Sequence, residues 1–140
     1  MEGYRRKWLK GGVLLAWMGV VFLLSSIPGS GDVGEPPLWY VIERKSAHVF
    51  EFAVLTGLAF MFFREVFARE SKKQVLWAAV AFSVAYGAFD ELHQAFVFGR
   101  GSRLFDVMVD ALGAGMMALA LFFVLLRRQK RGKKSKKVVY

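Results

Sequence analysis

Four stretches of this chain are apolar enough and long enough to cross a bilayer, and three of them carry ionisable residues at one end only. A spanning helix needs about 20 apolar residues. Such runs occur over 8–27, 46–63, 74–96 and 104–126. The first holds only Lys10, near its start. The second must include His48 and Glu51, the third Asp90, Glu91 and His93, and the fourth Asp106 and Asp110. The pattern predicts an all-α polytopic membrane protein, with four transmembrane helices in a single domain over 1–140. Between the helices, the Gly- and Pro-rich stretch 28–44 cannot continue as one helix. Within it, Leu38 to Ile42 (LWYVI) suits the membrane interface, where Trp and Tyr are favoured. A polar loop is expected over 64–73 and a tight turn around Gly99, Arg100, Gly101 and Ser102. The basic tail 127–140 is expected to be disordered or to rest on lipid headgroups.

Composition agrees with this class. The chain is 56% hydrophobic, with 14 Phe, 4 Trp and a mean hydropathy of +0.38, too apolar for a typical soluble domain. A net charge of +9 raises the question of nucleic acid. The basic residues, however, cluster in the tails and one loop, a topogenic distribution, so no nucleic-acid partner is expected. The absence of cysteine excludes disulfides, thiol catalysis and Cys-based metal sites. The basic start followed by an apolar run resembles a signal peptide, and SSIPGSG imitates a cleavage site. The uncharged run 11–31 is longer than a signal h-region, which favours a retained helix.

Lysine and arginine set the orientation. Sixteen of the 20 basic residues fall in the N-terminal tail, the 64–73 loop and the C-terminal tail. The positive-inside rule places these in the cytoplasm, N-in and C-in. Eight of the 11 acids lie at the opposite helix ends. Three polar helix ends thus reach one level on the extracytoplasmic side, where a polar pocket is expected. Lipid cannot host these charges cheaply, so they should face one another.

The spacing gives each helix a polar face. Lys45, His48 and Phe52 share a stripe, with Glu51 beside His48. Asp90, His93 and Gln94 share a face, and Glu91 lies about 100° round the helix. Asp106 and Asp110 stack at i, i+4, and the small residues Gly113 and Gly115 permit close helix approach. The set suits several chemistries. Crowded carboxylates beside imidazole can perform general acid–base catalysis. His48, His93 and the acids can hold a divalent cation, although without a recognised ligand spacing, and no cofactor is assigned. Lys45, Arg100 and Arg103 can hold a phosphate or carboxylate, Arg100 as a bidentate clamp. The plainer readings are that Lys45 and Arg103 snorkel to headgroups, that Asp106 starts the fourth helix, and that the ion pairs clamp helices together.

The order K-x-x-H-x-x-E (Lys45, His48, Glu51), then DELHQ-x-F-x-x-GR (Asp90 to Arg100), then D-x-x-x-D-x-x-G (Asp106, Asp110, Gly113) resembles the VanZ-like family of small bacterial membrane proteins. The resemblance covers about Lys45 to Gly115. It implies a compact helical membrane domain of the cell envelope. It also implies a functional role for Lys45, His48, Glu51, Asp90, Glu91, Gln94, Gly99, Arg100, Asp106 and Gly113. The founding member of the family is linked to teicoplanin resistance. This chain departs from the family in having Arg44, Phe52, Phe98 and Asp110 where Asp, a hydroxylated aromatic, Pro and Asn are common.

Three functions fit these observations. One is a binding protein of the bacterial cytoplasmic membrane that engages membrane lipids or an anionic amphipathic ligand. That ligand would be a lipid headgroup, a polyprenyl phosphate or a lipoglycopeptide, as glycopeptide resistance would require. Its ligand-binding residues would be Lys45, Glu91, Gln94, Arg100, Arg103, Asp106 and Asp110. The second is an enzyme that transfers or hydrolyses a lipid-linked phosphate or ester, with His48, Glu51, Asp90 and His93 as catalytic residues. The third is an ion or proton pathway, which acids confined to one leaflet argue against. Topology is directly testable. Cysteines introduced at Ser30 and Ser135 should react with an impermeant maleimide from opposite sides of the membrane, and labelling from the same side would break the four-span reading.

Overall fold

The computed structural model describes residues 1–29, 37–100 and 104–137, with side chains described for 1–29, 37–100 and 105–130. It contains four helices: α1 (Glu2–Ser25), α2 (Leu38–Val66), α3 (Lys72–Gln94) and α4 (Leu104–Lys137). All four are long and apolar enough to cross a membrane. Ser30, Gly101, Ser102 and Arg103, singled out from the sequence, lie outside the described residues.

α1 starts six residues earlier than the hydropathy pattern predicts, and α2 and α4 are longer still. α2 begins at Leu38, so the LWYVI segment forms its first turns instead of a separate interfacial piece. Pro37 stands just before it and cannot continue a helix backwards without strain on its neighbour. One turn into α2, Arg44 lies 5.8 Å from the centre of the Tyr40 ring. α4 runs on to Lys137 through the basic stretch expected to be disordered or lying on headgroups. Lys, Arg and Gln are good helix formers, and an established helix propagates cheaply through them. At 34 residues, α4 is about 51 Å long, well beyond a hydrocarbon core of about 30 Å. α3 starts with a capping box. Ser71 Oγ accepts from the Gln74 amide at 3.2 Å, and Gln74 Oε1 accepts from the Ser71 amide at 3.1 Å, satisfying two donors that the helix end would leave orphaned.

The helices run alternately up and down. α2 and α4 are therefore parallel to each other, and α1 and α3 are antiparallel to both. α2 lies at the centre and touches every other helix. Its apolar face supplies Phe52, Leu55, Ala59 and Phe60 to the core, where they meet Leu14 and Val21 of α1 and Val75, Leu76 and Ala79 of α3. Most large apolar side chains point outward instead, among them Leu15, Leu23, Trp77, Phe89, Leu119 and Phe123. That inside-out distribution suits lipid as the solvent. The apolar layer contains one buried polar bridge, from Thr56 Oγ1 to Ser83 Oγ at 2.9 Å. Such interhelical bonds contribute about 0.6 kcal/mol on average. At one end of the bundle, Lys10 of α1 pairs with Glu65 of α2. At the other end, the ends of α1 and α3 and the starts of α2 and α4 come together.

Close approach of α2 and α4 depends on Gly113. A Cβ there would run into the Val49 carbonyl oxygen and would lie 3.0 Å from Val49 Cα. Gly57 adds a second tight point, where a Cβ would meet the Met117 side chain at 3.4 Å. Gly115, expected to share this role, has open space around it. The two loops at the same end also interlock. The Gly29 amide donates to the Phe98 carbonyl at 3.1 Å, and a Cβ on Gly29 would overlap the Gly99 carbonyl. Gly99 turns the chain with φ of 72°, a conformation that costs a side-chain-bearing residue energy. Gly113→Val should therefore force α2 and α4 apart and lower stability by about 1–3 kcal/mol, the usual overpacking range. Gly115→Ala should be neutral or slightly stabilising. Thermal unfolding in detergent checks both, and equal effects at the two positions would contradict the close contact.

Candidate functional site

The polar helix ends form two connected layers. The first joins α2 to α4, and its register follows from their parallel packing. Lys45 pairs with Asp106, and one turn further on His48 Nδ1 lies 3.0 Å from Asp110 Oδ1. These contacts span 61 and 62 residues of sequence, so one turn of α2 matches one turn of α4. Gly113 follows Asp110 by three residues and meets Val49, which follows His48 by one. The glycine contact thus sets the distance at which the imidazole reaches the carboxylate. The Lys45 ammonium also lies 5.0 Å from the Phe105 ring centre. The depth is graded: the Lys45 side chain is 37% exposed, that of Asp106 24%, and that of Asp110 0%.

The α3 side of this layer is shaped by Gly87. A Cβ there would lie 2.9 Å from Asp110 Oδ2 and 3.2 Å from Phe52, so only a glycine lets α3 close over the pair. Glu91, one turn after Gly87, is buried beside them. His48, Glu91 and Asp110 each offer a ligand atom, and these atoms lie within 4.8 Å of one another. Asp110 Oδ2 is buried and has no hydrogen-bond partner among the described residues. Glu51 is buried in the same region, and its backbone carbonyl accepts from Trp17 Nε1 at 3.1 Å.

The second layer joins α3 to α1 and to the turn that follows α3. Asp90 Oδ2 accepts from Ser25 Oγ at 2.7 Å and from Gln94 Nε2 at 2.7 Å. Gln94 Oε1 in turn accepts from Arg100 Nη1 at 3.1 Å and from Arg44 Nη2 at 3.4 Å. Arg100 reaches α1 as well. Its Nε donates to the Ile27 carbonyl at 2.8 Å and its Nη2 to the Leu24 carbonyl at 2.9 Å. These carbonyls lie at the end of α1, where Leu24 accepts in addition from the Ile27 amide at 3.3 Å and a cation is favoured by the dipole. Partial burial, then the neighbouring Arg44, push the Arg100 pKa down from its ordinary value, yet a guanidinium stays protonated across the physiological range. The guanidinium expected to clamp an anion thus spends three donors inside the protein.

His93 turns away from His48. It stacks on Phe22 of α1, with ring centres 4.3 Å apart, and its Nε2 lies 3.0 Å from Ser26 Oγ. The structure therefore brings Lys45, His48, Glu91, Asp106 and Asp110 together, links Asp90, Gln94 and Arg100 to α1, and places His93 on α1. Helix α1 carries no charge at this end and was not among the expected contributors. The signal was the pair Ser25 and Ser26 just before Pro28, two hydroxyls closing an otherwise apolar run. Tyr86 was also unmarked, and its hydroxyl donates to the Met18 carbonyl at 2.7 Å.

Arg100→Lys should destabilise the protein, because a lysine cannot serve two carbonyls and an amide oxygen in one plane. The expected loss is about 1–3 kcal/mol, with faster hydrogen exchange at residues 22–27. Unchanged exchange there would show that Arg100 does not hold the end of α1.

No curated protein and no solved structure matches the chain. A family model described as VanZ/LLP1 matches residues 12–127, which takes in the whole of α2 and α3, the greater part of α1 and α4, and every side chain of the two polar layers. The parallel pair α2 and α4, the DELHQ end of α3 and the GR turn after it all fall within that match, and the chain is a member of the VanZ/LLP1 family.

Proposed function

We propose that this multi-pass membrane protein lies in the bacterial cytoplasmic membrane with both termini inside. Its polar helix ends then face the outer leaflet and receive the headgroup of an anionic amphipathic ligand, a membrane phospholipid, a polyprenyl phosphate or a lipoglycopeptide. The observation that carries the reading is the layering at the mouth of α2 and α4. Arg44 and Lys45 stand at the partly exposed rim, while His48, Glu91 and Asp110 lie beneath them. A phosphate arriving from the lipid side meets the cations first and can replace Asp106 as the partner of Lys45. An ammonium at a partly exposed position exchanges partners at small cost, whereas Asp110 beneath it is fixed by burial. Acyl chains of the ligand would lie along the apolar outer surface of the helices. Glycopeptide resistance would follow only if such a ligand included a lipoglycopeptide.

A second reading is favoured by the His48–Asp110 contact. When the Asp110 carboxylate is ionised, Nδ1–H donates to it, the ring orientation is fixed, and Nε2 carries the lone pair. An imidazole held in this way is a general base for a water or hydroxyl attacking a lipid-linked phosphate or ester. The neighbouring Glu51 and Asp90 would then tune that base through their charge.

Both readings are tested with purified protein in nanodiscs. Phosphatidylglycerol and a polyprenyl phosphate should bind more tightly than phosphatidylcholine. Lys45→Gln and Arg44→Gln should each weaken anionic binding about tenfold, about 1.4 kcal/mol, with the helical circular dichroism spectrum preserved. Equal binding of neutral and anionic lipid would overturn the headgroup reading. Release of phosphate or free lipid that stops in His48→Gln would establish the enzymatic one.

A further inference from the structure

The buried layer beneath the rim is rich in carboxylates. Glu51, Asp90, Glu91 and Asp110 are 7%, 1%, 4% and 0% exposed. The His48 imidazole is set among them, with Glu51, Asp90 and Asp110 all within its electrostatic reach, and the Arg100 charge also reaches Glu51 and Asp90. A carboxylate buried in a medium without water needs a proton, a cationic group or a metal ion beside it. Two atoms mark where hydrogen bonding is incomplete. Asp110 Oδ2 and Asp90 Oδ1 are buried with no hydrogen-bond partner among the described residues.

We infer that His48 of α2, Glu91 of α3 and Asp110 of α4 form a binding site for one divalent transition-metal cation. Each helix contributes one ligand, and their ligand atoms already lie within 4.8 Å of one another. The 3.0 Å between His48 Nδ1 and Asp110 Oδ1 is close to the separation of about 3.3 Å between neighbouring ligands at bond lengths of roughly 2.0–2.1 Å in a tetrahedral site. One imidazole nitrogen with two carboxylates selects Zn(II), Mn(II) or Fe(II) over the oxygen-only preferences of Mg(II) and Ca(II) and the sulfur preference of Cu(I). Three protein ligands leave at least one coordination position for water or an anionic group. The inference deepens the headgroup reading, since that open position would take the phosphate which the rim attracts. The glycines fit the same purpose: Gly87 and Gly113 let α3 and α4 approach closely enough for three helices to share one ion.

The test uses the metal alone, so it is independent of any lipid. Full-length protein in detergent, stripped with a chelator, is titrated with Zn(II), Mn(II) and Mg(II). It should take up one equivalent of Zn(II) or Mn(II) at least tenfold more tightly than Mg(II), with a rise in thermal midpoint. Asp110→Asn and Glu91→Gln keep the side-chain shapes and should each weaken that uptake at least tenfold. Glu65→Gln, at the far end of the bundle, should leave it unchanged. A readout on the unmodified chain guards against variants that fail to fold. The protein has two histidines, and Mn(II) should broaden the ring resonances of His48 more than those of His93. No saturable equivalent, an equivalent that survives both substitutions, or stronger broadening at His93 would each overturn the site. A bound metal without selectivity for anionic lipid would keep this site and remove the headgroup reading.

Discussion

The contact between Gly113 and the Val49 backbone governs the geometry of the polar layers. Two parallel helices can share ion pairs in successive turns only if their axes are close and their registers match. A side chain at position 113 would push against a backbone carbonyl, which has no rotamer with which to move aside. With glycine there, Lys45 meets Asp106 and His48 meets Asp110 one turn deeper. Gly87 does the same for α3, bringing Glu91 against that pair. Burial of a carboxylate in lipid is expensive unless its partners are within reach, so the stability of the ion pairs depends on these small residues as much as on the charges.

The connection to α1 obeys a different constraint. Its last turn presents carbonyls with acceptor capacity to spare, at a point where the chain breaks toward Pro28. Arg100 supplies donors to Leu24 and Ile27, and the same guanidinium reaches Gln94 of α3. Asp90 then holds Ser25 and Gln94 together. An arginine on a short turn therefore ties the end of α1 to α3. This arrangement commits three Arg100 donors to the protein, while Arg44 and Lys45 stand partly exposed among the described residues. Depth at this end is graded, with Lys45 and Asp106 partly exposed and Glu51, Glu91 and Asp110 buried beneath them.

Much of this was legible in the order of residues. Segments free of charge for about 20 residues can be stable in lipid only as helices, because every backbone amide must find its partner within the segment. That reasoning yields four spans, their alternation, and one end at which the ionisable residues collect. It also marks Gly113 as a place of close approach. Where the pattern misled, the cause was local chemistry that hydropathy does not register. Leu38 to Ile42 read as part of the connection before the second span yet begin α2 after Pro37, and the basic residues after Leu126 read as a loose tail yet extend α4.

Pairing was decided by the tertiary structure. Along the sequence, His48 has Glu51 one turn away, and Asp90 has His93. In space, His48 pairs with Asp110, Asp90 with Ser25, and His93 with Phe22 and Ser26. Helical periodicity gives the angle at which a side chain leaves its own axis. The rotation of that helix relative to its neighbours is set by how ridges and small residues pack along the whole contact. Whether Gly115 or Gly113 touches α2, and whether Arg100 faces a ligand or the end of α1, depends on that rotation. The sequence by itself therefore determined which residues are polar, at what depth, and at which end. Only the packing of four helices decided which of them meet, because contact depends on axis separation and rotation that no single helix encodes.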